Sequence, residues 1–163
     1  MLTETRTETK SLLKKNGRVQ LLTFTLDDQE YALEIGNVVQ VVRMVAVTRA
    51  PKASEALEGM FNLRGKVVPV INLRKRCGLP PKMSDANTQL LIAQVDGYTV
   101  ALTVDMVSEV LTLNSTNIES PQQIGANMEH LAAVGKLGDR LILILDPRSI
   151  IEFDGQPLRV IEE

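Results

Sequence analysis

The fold is decided by the sequence NLRG at residues 62–65, followed by KVVPVINLR at residues 66–74. Gly65 is free to adopt positive φ, so a tight turn is predicted there between two strands. The run Val67–Ile71 is continuously apolar, which predicts a buried strand. Because Pro69 lacks an N–H group, we expect this strand to lie at a sheet edge or at a bulge there. The segment therefore predicts β structure.

A second hairpin is predicted nearer the N-terminus. Val19–Leu26 is a mixed apolar run, residues 27–30 are polar, and the apolar pattern resumes at Tyr31. This order of strand, polar turn and strand is typical of a β-hairpin. The next segment, Glu34–Val42, has apolar residues at helical spacing but is rich in valine, which favours a strand. We therefore expect a short helix that runs into a strand, and then a loop at Pro51–Glu55.

The second half of the chain repeats the first. Gln20–Leu22 recurs 69 residues later as Gln89–Leu91, and Leu63–Arg74 matches Leu137–Arg148 at a distance of 74 residues. The change of spacing implies about five extra residues in a loop of the second half. Duplicated strands and turns of this kind are typical of small barrels or sandwiches. No helix-length segment alternates with the strands, so a doubly wound α/β fold is not expected.

The repeat also predicts the domain organisation. Residues 1–18 are polar and are expected to form a flexible N-terminal tail. Residues 19–151 are expected to form one domain of two barrels, the first over about 19–85 and the second over about 86–151. Residues 152–163 then form a C-terminal tail.

Composition and charge exclude several classes of function. The 163 residues are 44% hydrophobic and 23% charged, which is an ordinary globular balance. The net charge is −2 and basic residues do not cluster, so neither nucleic-acid nor membrane-surface binding is expected. No apolar run approaches the ~20 residues of a membrane helix, and no signal peptide is evident. Because Cys77 is the single cysteine, an internal disulfide is excluded. We therefore expect a cytoplasmic protein.

Candidates for catalysis are few. His130 is the only histidine, which excludes two-histidine metal motifs, and we expect it to be exposed and inert. Asp105 and Glu109 could share a helix face, where solvated carboxylates are favoured over paired catalytic acids. Cys77 follows basic residues that could lower its pKa, yet a small hydrophobic filler is the simpler interpretation. No catalytic residues, metal or cofactor are predicted. An enzyme that uses Asp105, Glu109 and His130 is the alternative.

Several motifs, taken in order, resemble the CheW family of chemotaxis coupling proteins. The residues that carry the resemblance are Phe24–Leu26, Tyr31, Gly59, Asn62–Gly65, Val67–Arg74, Val104–Asp105, Val107–Leu111 and Leu137–Arg140. They extend over nearly all of residues 19–151, so the match is more specific than any single motif. The resemblance implies a mainly β, CheW-like fold of two SH3-like five-stranded β-barrels with short helices.

The resemblance also implies a function without catalysis. A CheW-like scaffold is expected to couple the cytoplasmic tips of methyl-accepting chemoreceptors to the regulatory domain of the histidine kinase CheA in bacterial chemotaxis. Such a protein is cytoplasmic and is recruited to membrane-associated receptor arrays, with no direct membrane insertion and no nucleic-acid partner. The alternative is a CheW-like adaptor of a non-flagellar chemosensory pathway, in pilus motility or development.

The receptor-binding residues of the family carry over position by position. They are Val38, Gln40, Arg64, Gly65, Val107 and Val110. Arg64 is the expected centre, because its planar guanidinium can reach acidic or amide groups on a receptor helix. Two alternatives stay open: Arg64 is an ordinary exposed turn residue, or the three valines belong to the core. Kinase-binding residues are not identified.

Three positions distinguish this chain from the family or from its own repeat. Gln40 and Asn72 stand where the family usually carries glutamate and aspartate, so each keeps a hydrogen-bonding shape without the charge. Arg64 is not repeated in the second half, where Gly138 occupies the matching position. This asymmetry predicts that Arg64 serves binding rather than the shared fold.

Overall fold

A computed structural model describes residues 17–44, 47–49, 56–83, 85–124, 129–153 and 156–157. The first strands are β1 Arg18–Leu26, β2 Gln29–Glu34, β3 Val38–Arg43, β4 Leu57–Leu63 and β5 Lys66–Asn72. The later strands are β6 Gln89–Val95, β7 Tyr98–Val104, β8 Met106–Asn114, β9 Ile118–Glu119, β10 Leu131–Leu137, β11 Arg140–Leu145, β12 Glu152–Phe153 and β13 Gln156–Pro157. The helical elements are the 3-10 turns η1 Ile35–Asn37, η2 Ser115–Asn117 and η3 Pro121–Ile124, and the α-helices α1 Leu73–Arg76 and α2 Pro147–Ile151. No helix among the described residues is long and apolar enough to cross a membrane.

The two expected hairpins are confirmed. β1 and β2 are joined by Asp27 and Asp28, whose φ angles are 53° and 63°. β4 and β5 are joined by Arg64 and Gly65, whose φ angles are 52° and 83°. Positive φ at both central residues matches the twist of a two-residue hairpin. The expected short helix into a strand is found as η1 followed by β3. The expected loop at 51–55 and most of the two expected tails lie outside the described residues.

Two sheets carry the fold. The six-stranded sheet, called sheet 1, has the order β8-β1-β2-β11-β10-β9, and the five-stranded sheet, called sheet 2, has the order β3-β6-β7-β5-β4. Sheet 1 thus combines β1 and β2 with strands of the second half, and sheet 2 takes β6 and β7 from that half. The sheets therefore do not divide the chain between residues 85 and 86, where the repeat places a boundary. A repeat shows which strands are equivalent, whereas it does not show which of them pair.

The sequence repeat is also a structural repeat. Val70 of β5 pairs in parallel with Ala101 of β7, and Ile144 of β11 pairs in parallel with Ala32 of β2. These two pairs occupy equivalent positions of the repeat. The antiparallel pairing of β3 with β6 likewise corresponds to the pairing of β8 with β1. Each sheet therefore has the same internal plan.

Apolar side chains build three clusters. One lies between the sheets, is called the seam cluster, and includes Phe24 and Leu33 of sheet 1 and Leu91 and Leu102 of sheet 2. A second cluster belongs to sheet 1 and a third to sheet 2. In β6, Leu90 packs in the third cluster while the next residue, Leu91, packs in the seam cluster. Because such strands are buried on both faces, their sequences are continuously apolar instead of alternating.

Pro69 lies in an inner strand, so the expected edge position is wrong, whereas the expected alternative, a bulge, is found next to Pro69 in the partner strand, between Leu57 and Gly59. β5 is flanked by β4 and β7. Met60, opposite Pro69, exchanges two backbone hydrogen bonds of 2.8 Å with Thr48 on the other side of β4. Met60 and Pro69 therefore form a non-hydrogen-bonded pair, and the proline nitrogen points toward β7. The ladder to β7 begins only at Val70, so no strand partner requires an N–H from Pro69.

Candidate partner-binding surface

Arg64 lies at the first position of the β4–β5 turn and its side chain is exposed. The N–H of Gly65 donates to Oδ1 of Asn62 at 2.7 Å, which fixes the turn from one side. A Cβ at Gly65 would meet no atom within 4 Å, so its φ of 83°, rather than lack of space, favours glycine. Within the described part of the chain, Arg64 makes no hydrogen bond or ion pair. Its guanidinium is therefore available to a partner.

Four other arginines are committed to internal contacts. Arg74 pairs with Asp27 and Asp105, Arg140 with Glu30 and Glu109, and Arg148 with Asp96, while Arg76 donates to the carbonyls of Ser149, Ile150 and Glu152. Arg18, Arg43 and Arg49 are exposed like Arg64, but Arg18 and Arg43 lie in strands, and Arg49 follows the bridge between Thr48 and Met60. Arg64 thus combines an exposed cation with a turn of fixed geometry.

A β-bulge shapes the second part of the surface, on β3. Val38 pairs with Ala93 and Gln40 with Ile92, so Val39 has no partner of its own in the ladder. Val38 and Gln40 are half-buried, and Val38 packs against the seam cluster. Val39 is 52% exposed. Sequence reasoning missed Val39 because the extra residue of a bulge disturbs the alternation from which exposure is predicted.

The equivalent bulge lies in β8. Phe24 pairs with Val107 and Thr23 with Glu109, which leaves Ser108 as the extra residue. Val107 is half-buried and packs against the seam cluster, as Val38 does. Val110, by contrast, is 54% exposed. Val38 and Val107 are therefore partly core residues, as the alternative interpretation expected, whereas Val110 is not a core residue.

The strands β3 and β8 are edge strands of different sheets and meet at Gln89. The N–H of Val107 donates to Oε1 of Gln89 at 2.8 Å, and Gln89 is the ladder partner of Arg43 at the end of β3. The predicted valines and Gln40 thus lie on the edge strands of the two sheets, and Gln89 links the start of β8 to the end of β3.

The β4–β5 turn lies at the end of sheet 2 where β3 begins. Lys66, next to the turn, contacts Thr99 of β7 with 3.5 Å between Nζ and Oγ1. Thr99 pairs with Gln94, whose carbonyl accepts a hydrogen bond of 3.2 Å from Nδ2 of Asn37. Asn37 directly precedes β3. The β6–β7 hairpin therefore connects the turn with the beginning of β3.

Asn72 has a structural role at the beginning of helix α1. Its Oδ1 accepts a hydrogen bond of 3.1 Å from the backbone N–H of Lys75 and caps helix α1. Its Nδ2 donates to Oε1 of Glu58 at 2.9 Å. An aspartate would keep the cap but would lose the second hydrogen bond and face a carboxylate. The asparagine therefore matches its neighbour in this chain.

The residues of the enzyme alternative are not brought together. Asp105 lies in the bend before β8 and accepts from Arg74 at 2.8 Å, while Glu109 lies within β8 and pairs with Arg140 at 2.9 Å. The expected helix face is therefore wrong. Asp105 and His130 line two different clefts. In the part of the chain that the structure describes, no three His, Cys, Asp or Glu side chains form a group that could hold a metal.

Burial governs the protonation of His130 and Cys77. The His130 side chain is only 8% exposed, so the expected exposed histidine is wrong, and its Nδ1 lies 2.5 Å from Oγ of Ser149. Burial and the nearby Arg76 guanidinium lower the pKa of His130 and favour the neutral ring. Burial raises the pKa of the Cys77 thiol to about 11, although Arg76 opposes this shift. Cys77 packs against the seam cluster, which confirms the filler interpretation.

Comparison with known proteins supports one family. The sequence model of one protein family, the CheW-like domain, matches residues 20–154. The chemotaxis protein CheW of Helicobacter pylori is 31% identical over 137 residues, which are 83% of each chain. A probable chemotaxis protein CheW of Rhizobium etli is 33% identical over 134 residues, which are 82% of this chain and 83% of that protein.

A solved structure agrees with these relatives. The crystal structure of the scaffolding protein TtCheW from Thermoanaerobacter tengcongensis superposes with a TM-score of 0.80 at 30% identity. The superposition covers 86% of this chain and 97% of that one. The predicted fold class, mainly β with two SH3-like barrels and short helices, is confirmed. From the family model, the relatives and the fold, this chain belongs to the CheW-like family.

Proposed function

We propose that this protein is a non-enzymatic scaffold of bacterial chemotaxis. It couples the cytoplasmic tips of methyl-accepting chemoreceptors to the regulatory domain of the histidine kinase CheA. Membership of the CheW-like family supports this function, since the relatives are chemotaxis proteins and the structural neighbour TtCheW is a scaffolding protein. The observation that carries the proposal is the exposed Arg64 guanidinium, which has no partner among the described residues and lies on a turn that Asn62 fixes.

The receptor-facing surface consists of the β4–β5 turn and the two edge strands. Val39 and Val110 offer exposed apolar side chains of the kind that hold an amphipathic helix in a groove. Arg64 adds a planar donor for an acidic or amide group on that helix. Half-buried Val38 and Val107 lie under this surface and join it to the seam cluster. Receptor contacts at Val38, Gln40, Arg64, Gly65, Val107 and Val110 remain part of the proposal.

The kinase arm of the proposal rests on the fold. A regulatory domain built from the same kind of barrels would pack barrel against barrel, and the kinase-binding residues stay unassigned. Each contact is expected to be weak, and strength comes from many contacts in an array. In this role the protein is cytoplasmic, is recruited to membrane-associated receptor arrays, and binds neither lipid nor nucleic acid directly.

Charge reversal at the turn tests the proposal. Arg64→Glu is expected to weaken binding of a receptor-tip fragment by about tenfold or more, because it replaces a donor by a like charge facing an acidic helix. The melting temperature should stay unchanged, since Arg64 makes no internal contact among the described residues. Isothermal titration calorimetry and thermal melting measure the two effects.

Arg18→Glu is the matched control. Arg18 is also exposed, and it lies opposite Asn114 at the far end of β8 from Val107. This variant carries the same charge change and should bind the receptor tip like the wild type. Equal binding by the Arg64→Glu variant and the wild type would overturn the site. Failure of the wild-type protein to bind either a receptor tip or the kinase domain would overturn the function.

One observation favours the second candidate, an adaptor of a non-flagellar chemosensory pathway. Gln40, half-buried beside the bulge in β3, stands where glutamate is usual, so this surface carries one acid fewer. A receptor with a different charge pattern would match it better. Identification of the kinase and receptor that co-purify with the tagged protein decides between the two pathways.

A further inference from the structure

The conformation of Arg64 is unusual for its residue type. Among the described residues, five that are not glycine have positive φ: Asp27, Asp28, Arg64, Asp96 and His130. Aspartate and histidine enter the left-handed region with some ease, whereas a long side chain such as arginine rarely does. Such outliers persist where the surrounding structure holds them, and they concentrate at functional sites.

Asn62 supplies the group that holds this turn. Its Oδ1 accepts a hydrogen bond of 2.7 Å from the N–H of Gly65, three residues later. The bond links the end of β4 to the second turn residue, so Arg64 lies between two fixed points. Asn62 is exposed, and it therefore adds this bond without belonging to any apolar cluster.

The equivalent hairpin of the second half shows that the fold does not need this bond. There Lys136 occupies the position of Asn62, and its ammonium pairs with Glu119 on β9. Gly138, with φ of 59°, occupies the position of Arg64, so no strained side chain has to be held. β10 and β11 nevertheless pair directly across that turn, from Leu137 and Arg140 to Ala133 and Ile144. The Asn62 bond therefore accompanies Arg64 and is not a general requirement of the hairpin.

We infer that Asn62 is a positioning residue, which holds the backbone of the turn so that the Arg64 guanidinium is presented to a carboxylate of the partner. The inference rests on the proposed function and names the chemistry of its central contact. A guanidinium fork suits a carboxylate, and the described residues offer Arg64 no acid of their own. A turn that is already ordered loses less conformational entropy when the contact forms. Asn62 thus contributes to affinity without touching the partner.

Hydrogen exchange of the free protein tests the positioning step directly. In Asn62→Ala, the Gly65 amide should exchange about twofold to tenfold faster than in the wild type, the range expected for one lost hydrogen bond. Asn62→Ser keeps a shorter acceptor and should give an intermediate rate. Asn117→Ala removes an exposed asparagine at η2 and should leave the Gly65 rate unchanged. An unchanged Gly65 rate in Asn62→Ala would refute the inference, whatever the partner.

Binding of a receptor-tip fragment tests the consequence. Asn62→Ala should weaken binding by about threefold to tenfold, Asn62→Ser by less, and Asn117→Ala not at all. In an Arg64→Ala background, Asn62→Ala should have no further effect, because there is no guanidinium left to position. An additive effect in that background, or wild-type affinity of Asn62→Ala, would overturn the positioning role alone. Absence of binding by the wild type would instead overturn the proposed function.

Discussion

Arg74 and Arg148 occupy equivalent positions in the two repeats, and each reaches a hairpin turn of the opposite sheet. Arg74 follows β5 of sheet 2 and pairs with Asp27 of sheet 1, whereas Arg148 follows β11 of sheet 1 and pairs with Asp96 of sheet 2. Arg74 has a second acid, Asp105 at 2.8 Å, and is 8% exposed, against 23% for Arg148. An ion pair between this arginine and a hairpin aspartate thus occurs in both repeats, whereas the near-complete burial of the arginine occurs only in the first.

The sequence gives the reason for this difference. The position equivalent to Asp105 is Gly36, which has no side chain, so Arg148 meets no counterpart of the second carboxylate that Arg74 contacts. Oδ2 of Asp105 also accepts a hydrogen bond of 3.0 Å from the backbone N–H of Asp27. Asp105 therefore holds the turn and Arg74 together. The second carboxylate thus distinguishes the buried network of Arg74 from the more exposed ion pair of Arg148.

The largest expected effect is on the free energy of unfolding when each of the two arginines is removed in turn. Arg74→Ala leaves Asp105 without its main counterion and is expected to lower the free energy of unfolding by about 3 kcal/mol. Arg148→Ala should cost about 1 kcal/mol at most, because Asp96 is 49% exposed and becomes solvated. Urea denaturation followed by circular dichroism measures both values, and Arg18→Ala is the control. Equal losses for the two variants would contradict the difference drawn between the repeats.

The helix caps give a prediction of intermediate size. Asn72 and Asp146 are equivalent caps, but the residue equivalent to Glu58 is Ala132, so Asp146 faces no acid there. Asn72→Asp should therefore lower the free energy of unfolding by about 1 kcal/mol, since it loses a hydrogen bond and gains a repulsion. Addition of Glu58→Gln should restore most of the loss, because the glutamine amide can donate to the new carboxylate. Full stability of the single variant in urea would argue against this account.

The smallest expected effect concerns pH. His130 and Ala56 are equivalent, and their carbonyls accept matching hydrogen bonds of 2.7 Å from the N–H groups of Asp146 and Asn72. Burial and Arg76 lower the pKa of His130 below its ordinary 6.5. As the pH falls through 6.5, this histidine therefore binds a proton more readily in the unfolded chain than in the folded protein. The free energy of unfolding consequently decreases as the pH decreases. Only the second repeat carries this dependence.

Stability curves between pH 5.5 and 7.5 check that sign, a window of about two units around the ordinary histidine pKa. The wild type should lose stability toward the acid end, and His130→Gln should flatten the curve because the glutamine does not titrate. A wild-type curve that rises toward acid pH would show that His130 is stabilised in its charged form. The same slope in both proteins would assign the dependence to other groups.

Local chemistry made much of the fold predictable. The hairpin at Asp27–Asp28 and the turn at Arg64–Gly65 were expected because turn residues act over four positions of the chain. The duplication was visible because equivalent strands keep equivalent apolar patterns. The exchange of strands between sheets was not predictable, since it depends on pairings between distant segments. Pro69 shows the same limit, because its tolerance depends on where the ladder from β7 begins.

The candidate surface divides in the same way. The resemblance identified Arg64 and the edge-strand positions, and the turn sequence predicted positive φ for Gly65. The exposure of Val39 was missed because a bulge is a property of two strands rather than one. The burial of His130 was missed because polar neighbours in sequence suggested solvent, whereas its side chain packs beside Ser149 of α2. Both errors arise from tertiary context.

The exchange of strand pairs between the sheets governs how this chain can fold. Thr23 of β1 contacts Glu109 of β8, 86 residues later, and β2 cannot pair with β11 until that strand has been synthesised. Contacts of such long sequence separation slow the search for the native state. During synthesis the β1–β2 hairpin therefore emerges with both edges open, and it closes only after most of the chain has left the ribosome. Folding is consequently expected in one late, all-or-none transition, in which neither half forms without the other.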